Sequence, residues 1–196
     1  QNICRVASLC ELTVFTRVAN MTYELIARAL DCGSDGIIFP RVESPELLET
    51  AVSWCKFPPV GVRGFGLTVM QANYEPVTIP QMIAHRNENG MVILQIETVK
   101  ALEMRDELLS VPGLDVVMVD LSISLGIPGE FEHPRFIEAI DQIRDTCIAK
   151  GIVPGIQCRG VALSKFCRDR GFRFLGTSNE WNLLLEKAKE TVAALR

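Results

Sequence analysis

The chain has 196 residues, a length typical of a single domain with a substantial apolar core. Its 20 basic and 24 acidic side chains give a net charge of −4, which excludes a broad basic surface for nucleic acid. Because 48% of the residues are apolar, the composition also excludes an intrinsically disordered chain. No apolar run is long enough to span a membrane, and the first residues lack the pattern of a signal peptide. We therefore expect a cytoplasmic protein without a membrane partner.

The chain contains seven cysteines and two histidines, and neither set has the spacing of a metal site. The number of cysteines is odd, no C-x-x-C pattern occurs, and most of them stand in apolar or helical segments. We therefore expect buried, reduced thiols. His85 and His133 lie far apart along the chain, which argues against a zinc site rich in histidine.

Short apolar strands alternate with amphipathic helices along the chain. The predicted strands cover residues 14–18, 37–39, 91–96, 114–119, 153–158 and 172–177. The predicted helices cover residues 21–31, 45–54, 81–87, 99–109, 134–150, 162–170 and 180–195. Because the strands are apolar throughout and are separated by helices, the pattern predicts a parallel sheet covered on its faces. Residues 57–80 form a long loop, rich in proline and glycine, that we expect to serve function or an interface.

Polar residues end most of the predicted strands, and in a barrel of β/α units the chemistry lies where strands end. These strand-end residues are Arg17, Arg41, Gln95, Glu97, Asp120, Gln157, Arg159 and the segment 177–179. Glu97 and Asp120 follow neighbouring apolar strands, where an acid is costly unless it is paired or bound to a metal. Two carboxylates there could hold a hydrated Mg²⁺ or Mn²⁺ ion. Alternatively, each could cap the following helix or loop, and the sequence alone leaves both interpretations open.

Arg17 and Gln95 are the other candidates at this edge. Arg17 stands inside a short apolar strand, where it could bind a substrate carboxylate or an enolate oxygen, or form a salt bridge with an acid of the barrel. Gln95 alternates with Glu97, so both side chains point to the same face of the sheet. The amide could then bind a substrate carbonyl or a water ligand, or be an ordinary polar core residue. No lysine lies in a predicted strand, so carbonyl chemistry here would need a metal instead of a Schiff base.

Several motifs resemble the HpcH/HpaI aldolase/citrate lyase family, the metal-dependent class II pyruvate aldolases that include 2,4-dihydroxyhept-2-ene-1,7-dioate aldolases. The motifs occur in the family's order and span nearly the whole chain. They cover residues 17–18, 29–33, 36–44, 57–66, 95–98, 120–126 and 133–134.

The resemblance implies a TIM (β/α)8 barrel, built as a single domain over residues 1–196. The first two strands and the family's catalytic histidine would lie upstream of residue 1, so the barrel is expected to be incomplete at its N-terminus. The family's Gly-Pro-x loop before the metal-binding aspartate is absent, since Val119 runs directly into Asp120. The resemblance also implies a homohexamer, a trimer of dimers, in which the C-terminal helix 180–195 is exchanged between subunits.

The resemblance further implies a role for five residues of this chain. Glu97 and Asp120 match the two metal-binding carboxylates. Arg17 matches the arginine that binds pyruvate and stabilises its enolate, and Gln95 matches the glutamine beside the metal-binding glutamate. Asp31 matches an acid that supports the active site across the subunit interface.

The implied reaction is the reversible aldol cleavage of a 4-hydroxy-2-oxo acid to pyruvate and an aldehyde. Mg²⁺ or Mn²⁺, with Co²⁺ as a further candidate, would act as the Lewis acid. The expected partners are thus small molecules and further copies of this chain. Two alternatives stay open. One is a lyase or synthase of the same superfamily that acts on oxaloacetate or an acyl-CoA, and the other is a non-catalytic barrel.

Overall fold

Six parallel strands form the centre of the structure, a computed structural model that describes residues 1–66, 72 and 75–196. The strands are β1 (Phe15–Arg17), β2 (Gly36–Phe39), β3 (Met91–Ile96), β4 (Val116–Val119), β5 (Val153–Gln157) and β6 (Phe174–Gly176). Each strand pairs with the next one along the chain, in the order β1 to β6. The six predicted strands and their parallel arrangement are therefore confirmed, although several strands are shorter than predicted.

Helices precede, connect and follow the strands, and several of them cover the outer face of the sheet. They are α1 (Asn2–Leu9), α2 (Tyr23–Asp31), α3 (Pro45–Ser53), α4 (Ile79–Asn89), α5 (Val99–Glu103), α6 (Arg105–Leu108), α7 (Pro134–Ala149), α8 (Val161–Asp169) and α9 (Glu180–Ala194). The single helix predicted over 99–109 is wrong, because Met104 separates α5 from α6. Helix α1 was not among the predicted elements. No helix in the described part of the chain is both long and apolar enough to cross a membrane.

The main apolar core lies between the sheet and the helices. Leu94 of β3 and Val117 of β4 are register partners, and both side chains are fully buried there. Ile140 and Ile143 of α7 belong to the same cluster. These residues occupy alternate positions of their strands and one face of the helix, which is the pattern that a parallel sheet covered by helices requires.

A second, smaller apolar cluster lies on the other face of the sheet. It contains the buried residues Ile93, Val116 and Met118, with Phe15 and Phe174 packed against them. The rings of Phe15 and Phe174 meet edge to face with their centroids 5.6 Å apart, although β1 and β6 are the two edge strands. The sheet is therefore curled into a half-barrel whose inner face carries this cluster. The closed eight-stranded barrel stays a prediction.

The long loop after α3 is anchored at the amino edge of the sheet. The Lys56 ammonium donates hydrogen bonds to the backbone oxygens of Asn87 and Gly90, at 2.8 and 2.6 Å. The Arg63 guanidinium lies over the Phe57 ring, 4.4 Å from its centroid. Residues 67–71 and 73–74 of this loop lie outside the described residues, so its functional interpretation stays a prediction.

Candidate active site

Alternation along the strands brings Arg17 and Gln95 to the inner face of the half-barrel. Phe15 and Ile93 belong to the inner cluster, and side chains two residues apart on a strand share a face. Arg17 and Gln95 therefore point inward, near the carboxyl ends of β1 and β3. This is the edge of the sheet at which the active sites of β/α barrels lie.

The two candidate metal-binding acids stand side by side at the same edge. Ile96 of β3 and Val119 of β4 are register partners, and Glu97 and Asp120 follow them directly. The Asp120 N–H donates a hydrogen bond to the Ile96 oxygen at 3.0 Å. This bond extends the pairing of β3 and β4 by one residue beyond the strands. Because neighbouring strands lie about 4.8 Å apart, the two carboxylates can reach one ion between them.

A backbone N–H from the loop after β2 holds the Glu97 side chain in place. The Arg41 N–H donates a hydrogen bond to Glu97 Oε1 at 2.9 Å, and Arg41 adopts a left-handed backbone with φ of 51°. The helix-capping alternative for Glu97 is wrong, because Thr98 is the N-cap of α5 and its hydroxyl accepts from the Ala101 N–H. The Thr98 hydroxyl also bonds the carboxylate of Glu43 in the loop after β2, which lowers the pKa of Glu43 below its ordinary value. The two loops are thus joined at the carboxyl edge.

Asp120 is exposed, and its carboxylate has no hydrogen bond or ion pair to any residue that the structure describes. The loop-capping alternative for this residue therefore finds no support in the structure. The carboxylate instead lines a cavity of about 560 Å³. This cavity is bounded by Phe131, by the end of β5 and by the first turns of α9.

Gln95 and Arg17 carry polar groups that no described residue satisfies. Gln95 is only 6% exposed, yet its Oε1 has no hydrogen-bond partner in the described structure. A buried polar oxygen without a partner is costly, so such an atom is typical of a place where a ligand or an ordered water binds. Arg17 is exposed at the end of β1, and its guanidinium contacts no acid within the described residues. The alternative interpretation of Arg17, a salt bridge with an acid of the barrel, therefore finds no partner among the described residues.

These side chains fit a hard cation that keeps part of its water shell. Within the described ranges, no group of three or more histidine, cysteine and acidic side chains could hold a metal. Mg²⁺ and Mn²⁺, however, are commonly bound by one or two carboxylates together with waters and substrate oxygens. Glu97 and Asp120 supply two such carboxylates, and Gln95 Oε1 can accept from a water of the shell.

Asp31 lies at the opposite edge of the sheet. It is the last residue of α2, which begins at the carboxyl edge after β1 and ends just before β2 starts. Its carboxylate forms an ion pair with Arg63 at 2.7 Å, where the Arg63 side chain is 2% exposed and the Asp31 side chain 40%. Within one chain the structure therefore does not bring Asp31 to the other four candidates. A role in the site of a partner subunit stays a prediction.

Gln157 and Arg159, which the sequence identified only as strand-end residues without a role, line the cavity beside Asp120. Phe131 was not identified at all, because it stands in an irregular segment between β4 and α7. Its position after Asp120 in the loop that follows β4 is the one signal that could have suggested it.

The protein-family model described as HpcH/HpaI aldolase/citrate lyase matches residues 3–184. The chain belongs to this family. It is 33% identical over 183 residues to a 2-dehydro-3,6-dideoxy-6-sulfogluconate aldolase of Pseudomonas putida, covering 92% of this chain and 71% of that protein. It is 30% identical over 175 residues to a hydroxypyruvate/pyruvate aldolase of Roseovarius nubinhibens, covering 88% and 68%. Aldolases are carbon–carbon lyases, so this is an enzyme family.

Two solved structures share the fold of this half-barrel. An HpcH/HpaI aldolase from Desulfitobacterium hafniense matches with a TM-score of 0.90 and 29% identity, over 98% of this chain and 76% of that one. A citrate synthase matches with a TM-score of 0.84 and 23% identity, over 98% of this chain and 76% of that one. This match shows a common fold. The chain thus spans between 68% and 76% of the length of these four proteins.

Proposed function

We propose that the protein is a metal-dependent aldolase that reversibly cleaves a 4-hydroxy-2-oxo acid into pyruvate and an aldehyde. The observation that supports this most directly is the pair of carboxylates, Glu97 and Asp120, beside the unsatisfied Gln95 oxygen on the inner face. The names of the two relatives support it further, since one is a 2-dehydro-3,6-dideoxy-6-sulfogluconate aldolase and the other a hydroxypyruvate/pyruvate aldolase.

In the cleavage direction, the bond between C3 and C4 of the substrate breaks. The C4 hydroxyl loses its proton as the aldehyde forms, and C3 gains a proton to give pyruvate. A divalent ion held by Glu97 and Asp120 supplies, when bound, a Lewis acid for the 2-oxo group. Arg17 binds the substrate carboxylate and stabilises the negative charge that develops on the 2-oxygen. Gln95 orients a water or hydroxyl donor through its buried Oε1.

We propose in addition that the half-barrel belongs to a closed TIM barrel in a homohexamer that exchanges α9 between subunits. None of the residues of α9 is buried, and Trp181 and Leu184 are 70% and 69% exposed. Several large apolar side chains that are exposed on one helix are typical of a surface that another protein covers. A neighbouring copy of the chain would cover them and could bring its own Asp31 towards the site.

The test is a combined metal-binding and turnover measurement on the intact protein. We expect pyruvate release from 4-hydroxy-2-oxo acids to stop with EDTA and to return with Mg²⁺, Mn²⁺ or Co²⁺. Glu97→Gln and Asp120→Asn should each abolish Mn²⁺ binding in calorimetry, whereas Glu103→Gln, an exposed acid on α5, should leave it unchanged. Arg17→Ala should lower the kcat/KM by roughly 10- to 100-fold, the usual effect of losing a charge-assisted hydrogen bond. Turnover that is indifferent to the chelator would contradict the proposal.

The same assay separates the two alternatives. Turnover of oxaloacetate with an acyl-CoA, without cleavage of 4-hydroxy-2-oxo acids, would identify a synthase, an activity that the similar fold of the citrate synthase accommodates. Binding of pyruvate without any turnover would identify a non-catalytic barrel. In both cases, loss of binding in the Arg17→Ala variant would still assign the ligand to this edge of the sheet.

A further inference from the structure

Two buried cysteines meet between the end of β5 and the buried face of α8. Cys158 directly follows β5 and is 1% exposed, and Cys167 of α8 is fully buried in the same apolar cluster. The two thiols are hydrogen-bonded to each other. The sharp turn at Gly160, where φ is 89°, leads the chain from β5 into α8 and so brings the two cysteines together.

Hydrogen bonds to the end of β6 fix the backbone on both sides of this turn. The Cys158 N–H donates to the Gly176 oxygen at 2.6 Å, and the Gly160 N–H donates to the Thr177 oxygen at 2.9 Å. In the first turns of α8, the Ser164 hydroxyl lies 3.0 Å from the Gly160 oxygen and 3.1 Å from the Thr177 hydroxyl. The contact between the two thiols is therefore part of an ordered junction of β5, β6 and α8.

The two thiols differ in how readily they lose their protons. The hydrogen bond from the Cys167 thiol lowers the pKa of Cys158 below its ordinary value of 9.0, against the opposing effect of burial, and Ser164 acts in the same direction as Cys167. The same contact and burial raise the pKa of Cys167. Burial also raises the pKa of Cys55 and of Cys147, to about 12. Cys158 thus has the strongest thiolate character of these four, and thiolate character decides which thiol an oxidant attacks.

Cys158 lies beside the candidate active site. It lines the cavity of about 560 Å³ together with Asp120, Gln157 and Arg159. A small hydroperoxide that enters this cavity therefore comes up to Cys158. Gln157 and Arg159 flank Cys158 in the chain, so a displacement of Cys158 also displaces two residues of the cavity that contains Asp120.

We propose that Cys158 and Cys167 form a site of reversible oxidation, at which a hydroperoxide joins the two sulfur atoms in a disulfide and thereby lowers turnover at the neighbouring site. The Cys158 sulfur attacks one peroxide oxygen, the O–O bond breaks, and Cys158 becomes a sulfenic acid while the other oxygen leaves as an alcohol, or as water from hydrogen peroxide. The Cys167 sulfur then attacks the Cys158 sulfur, the S–O bond breaks, and water leaves. The two thiols lose two electrons and two protons, and the peroxide takes up both.

The disulfide alters the site because the two sulfur atoms must move closer together to become bonded. The end of β5 and α8 are then drawn towards each other, and Gln157 and Arg159 shift with Cys158. Only the loss of turnover rests on the proposed aldolase function, since the oxidation is measured on the thiols themselves.

The first test identifies the thiols that react. The folded protein is treated with a small excess of hydrogen peroxide, its remaining thiols are blocked with N-ethylmaleimide, and it is digested with trypsin without reductant. Trypsin cleaves after Arg159 and Lys165, so the two cysteines fall in the separate peptides 151–159 and 166–168. We expect mass spectrometry to find these peptides joined, dithiothreitol to separate them, and Cys55 and Cys147 to stay reduced.

The second test measures pyruvate release from a 4-hydroxy-2-oxo acid before and after the treatment. Catalase first removes the remaining peroxide, because peroxide destroys 2-oxo acids. We expect kcat/KM to fall by roughly 10- to 100-fold, since a displacement of about 1 Å near reacting groups has effects up to this size. Dithiothreitol should restore the original value.

Three variants, each compared with its own untreated sample, assign the effect to this pair. Cys158→Ser should form no joined peptides and lose no turnover. Cys167→Ser should form no joined peptides either, and dimedone should trap a sulfenic acid on Cys158 in this variant. Cys147→Ala, which removes a buried thiol of α7, is the matched control and should respond to peroxide as the unmodified protein does.

The outcomes separate this inference from the proposed function. Peptides 151–159 and 166–168 that stay reduced while the exposed Cys10 is oxidised would overturn the oxidation site. Joined peptides with unchanged turnover would overturn its control of the active site. A reduced protein without any turnover would overturn the proposed aldolase function, whereas joined peptides in that protein would still support the oxidation site.

Discussion

Gly36 shows how closely neighbouring strands approach each other in the half-barrel. A Cβ atom built on Gly36 would lie 2.4 Å from the backbone oxygen of Met91 and 2.9 Å from Cδ1 of Phe15. Met91 is the register partner of Gly36 in β3, so its carbonyl cannot move away without disturbing the pairing. A side chain at position 36 is therefore excluded by sterics from both neighbouring strands.

We expect Gly36→Ala to lower the free energy of unfolding by about 1–3 kcal/mol, the usual cost of overpacking. The measurement is denaturation in urea at equilibrium. Gly66→Ala is the control, because a Cβ there would meet no atom of the described residues within 4 Å. Equal stabilities of the two variants would show that the strands adjust to the extra methyl group.

The cysteines support the prediction of free thiols. All seven are unpaired, and five are buried: Cys4, Cys55, Cys147, Cys158 and Cys167. Burial raises the pKa of Cys55 and of Cys147 from the ordinary value of 9.0 to about 12. At a pH between 9.0 and about 12, the unfolded chain loses the two thiol protons while the folded chain keeps them. The folded state is then destabilised as the pH rises above about 9, since the unfolded state binds fewer protons.

We expect this effect to reach about 2 kcal/mol per thiol near pH 10.5, compared with pH 8. The double variant Cys55→Ala, Cys147→Ala should lose less stability over this pH interval than the unmodified protein. The comparison uses the change with pH, so the constant cost of the two small cavities cancels. The same alkaline loss in both proteins would show that other groups cause it.

At the scale of elements, local capping signals account well for where helices begin. The sequence predicts the start of α3, since Ser44 and Pro45 are typical N-cap and first-turn residues, and the Ser44 hydroxyl accepts from the Leu47 N–H at 3.2 Å. The break at Met104 has no such signal, because no glycine or proline interrupts residues 99–109. The break is seen only in the structure, where α6 contacts α3 and α7.

We expect Ser44→Ala to lower the free energy of unfolding by about 1 kcal/mol, because the Leu47 N–H loses its acceptor. Thermal and urea denaturation would measure it. Ser53→Ala at the other end of α3 is the control, since the Ser53 hydroxyl donates to the Thr50 oxygen and accepts from no N–H of the described residues. Ser44→Asn should retain most of the stability. A loss of stability as large in Ser53→Ala as in Ser44→Ala would contradict this role of the cap.

At the scale of the molecule, α9 is the element least integrated into the half-barrel. Its sequence predicts a helix with several apolar residues, which is compatible with ordinary packing. In the structure, however, none of its residues is buried, and Leu195 just after it is 84% exposed. The apolar side chains that usually fix a terminal helix to its own sheet therefore point away from it.

We expect removal of residues 180–196 to leave the cooperative unfolding of the half-barrel intact while it reduces the number of subunits in the assembly, obtained by light scattering as the measured mass divided by the mass of one chain. Leu184→Asp is a milder variant, which places a charge on the exposed apolar surface and should weaken the assembly in the same direction. Lys187→Ala, whose partner Glu190 is exposed as well, is the matched control. An unchanged number of subunits in all variants would contradict the exchange of α9 between subunits.

The sequence by itself determined the order and type of nearly all the elements. Six apolar runs separated by amphipathic helices leave little alternative to a parallel α/β sheet, because a strand without a polar face must be covered on both sides. The alternation of Gln95 with Glu97 also fixed their common face, since the side-chain period of a strand is two residues. The family motifs then identified the enzyme class.

Only the tertiary structure decided which of the candidate residues meet. The hydrogen bond from the Arg41 N–H to Glu97 joins positions 56 residues apart. The Gln157 side chain lies where a Cβ atom of residue 176 would stand, and this placement depends on the register of β5 and β6. Asp31, which the resemblance assigned to the active site across the subunit interface, lies at the other edge of its own sheet because α2 crosses from one edge to the other before it ends. Local propensity and periodicity depend on near neighbours in the chain, whereas these contacts depend on how the sheet pairs and curls.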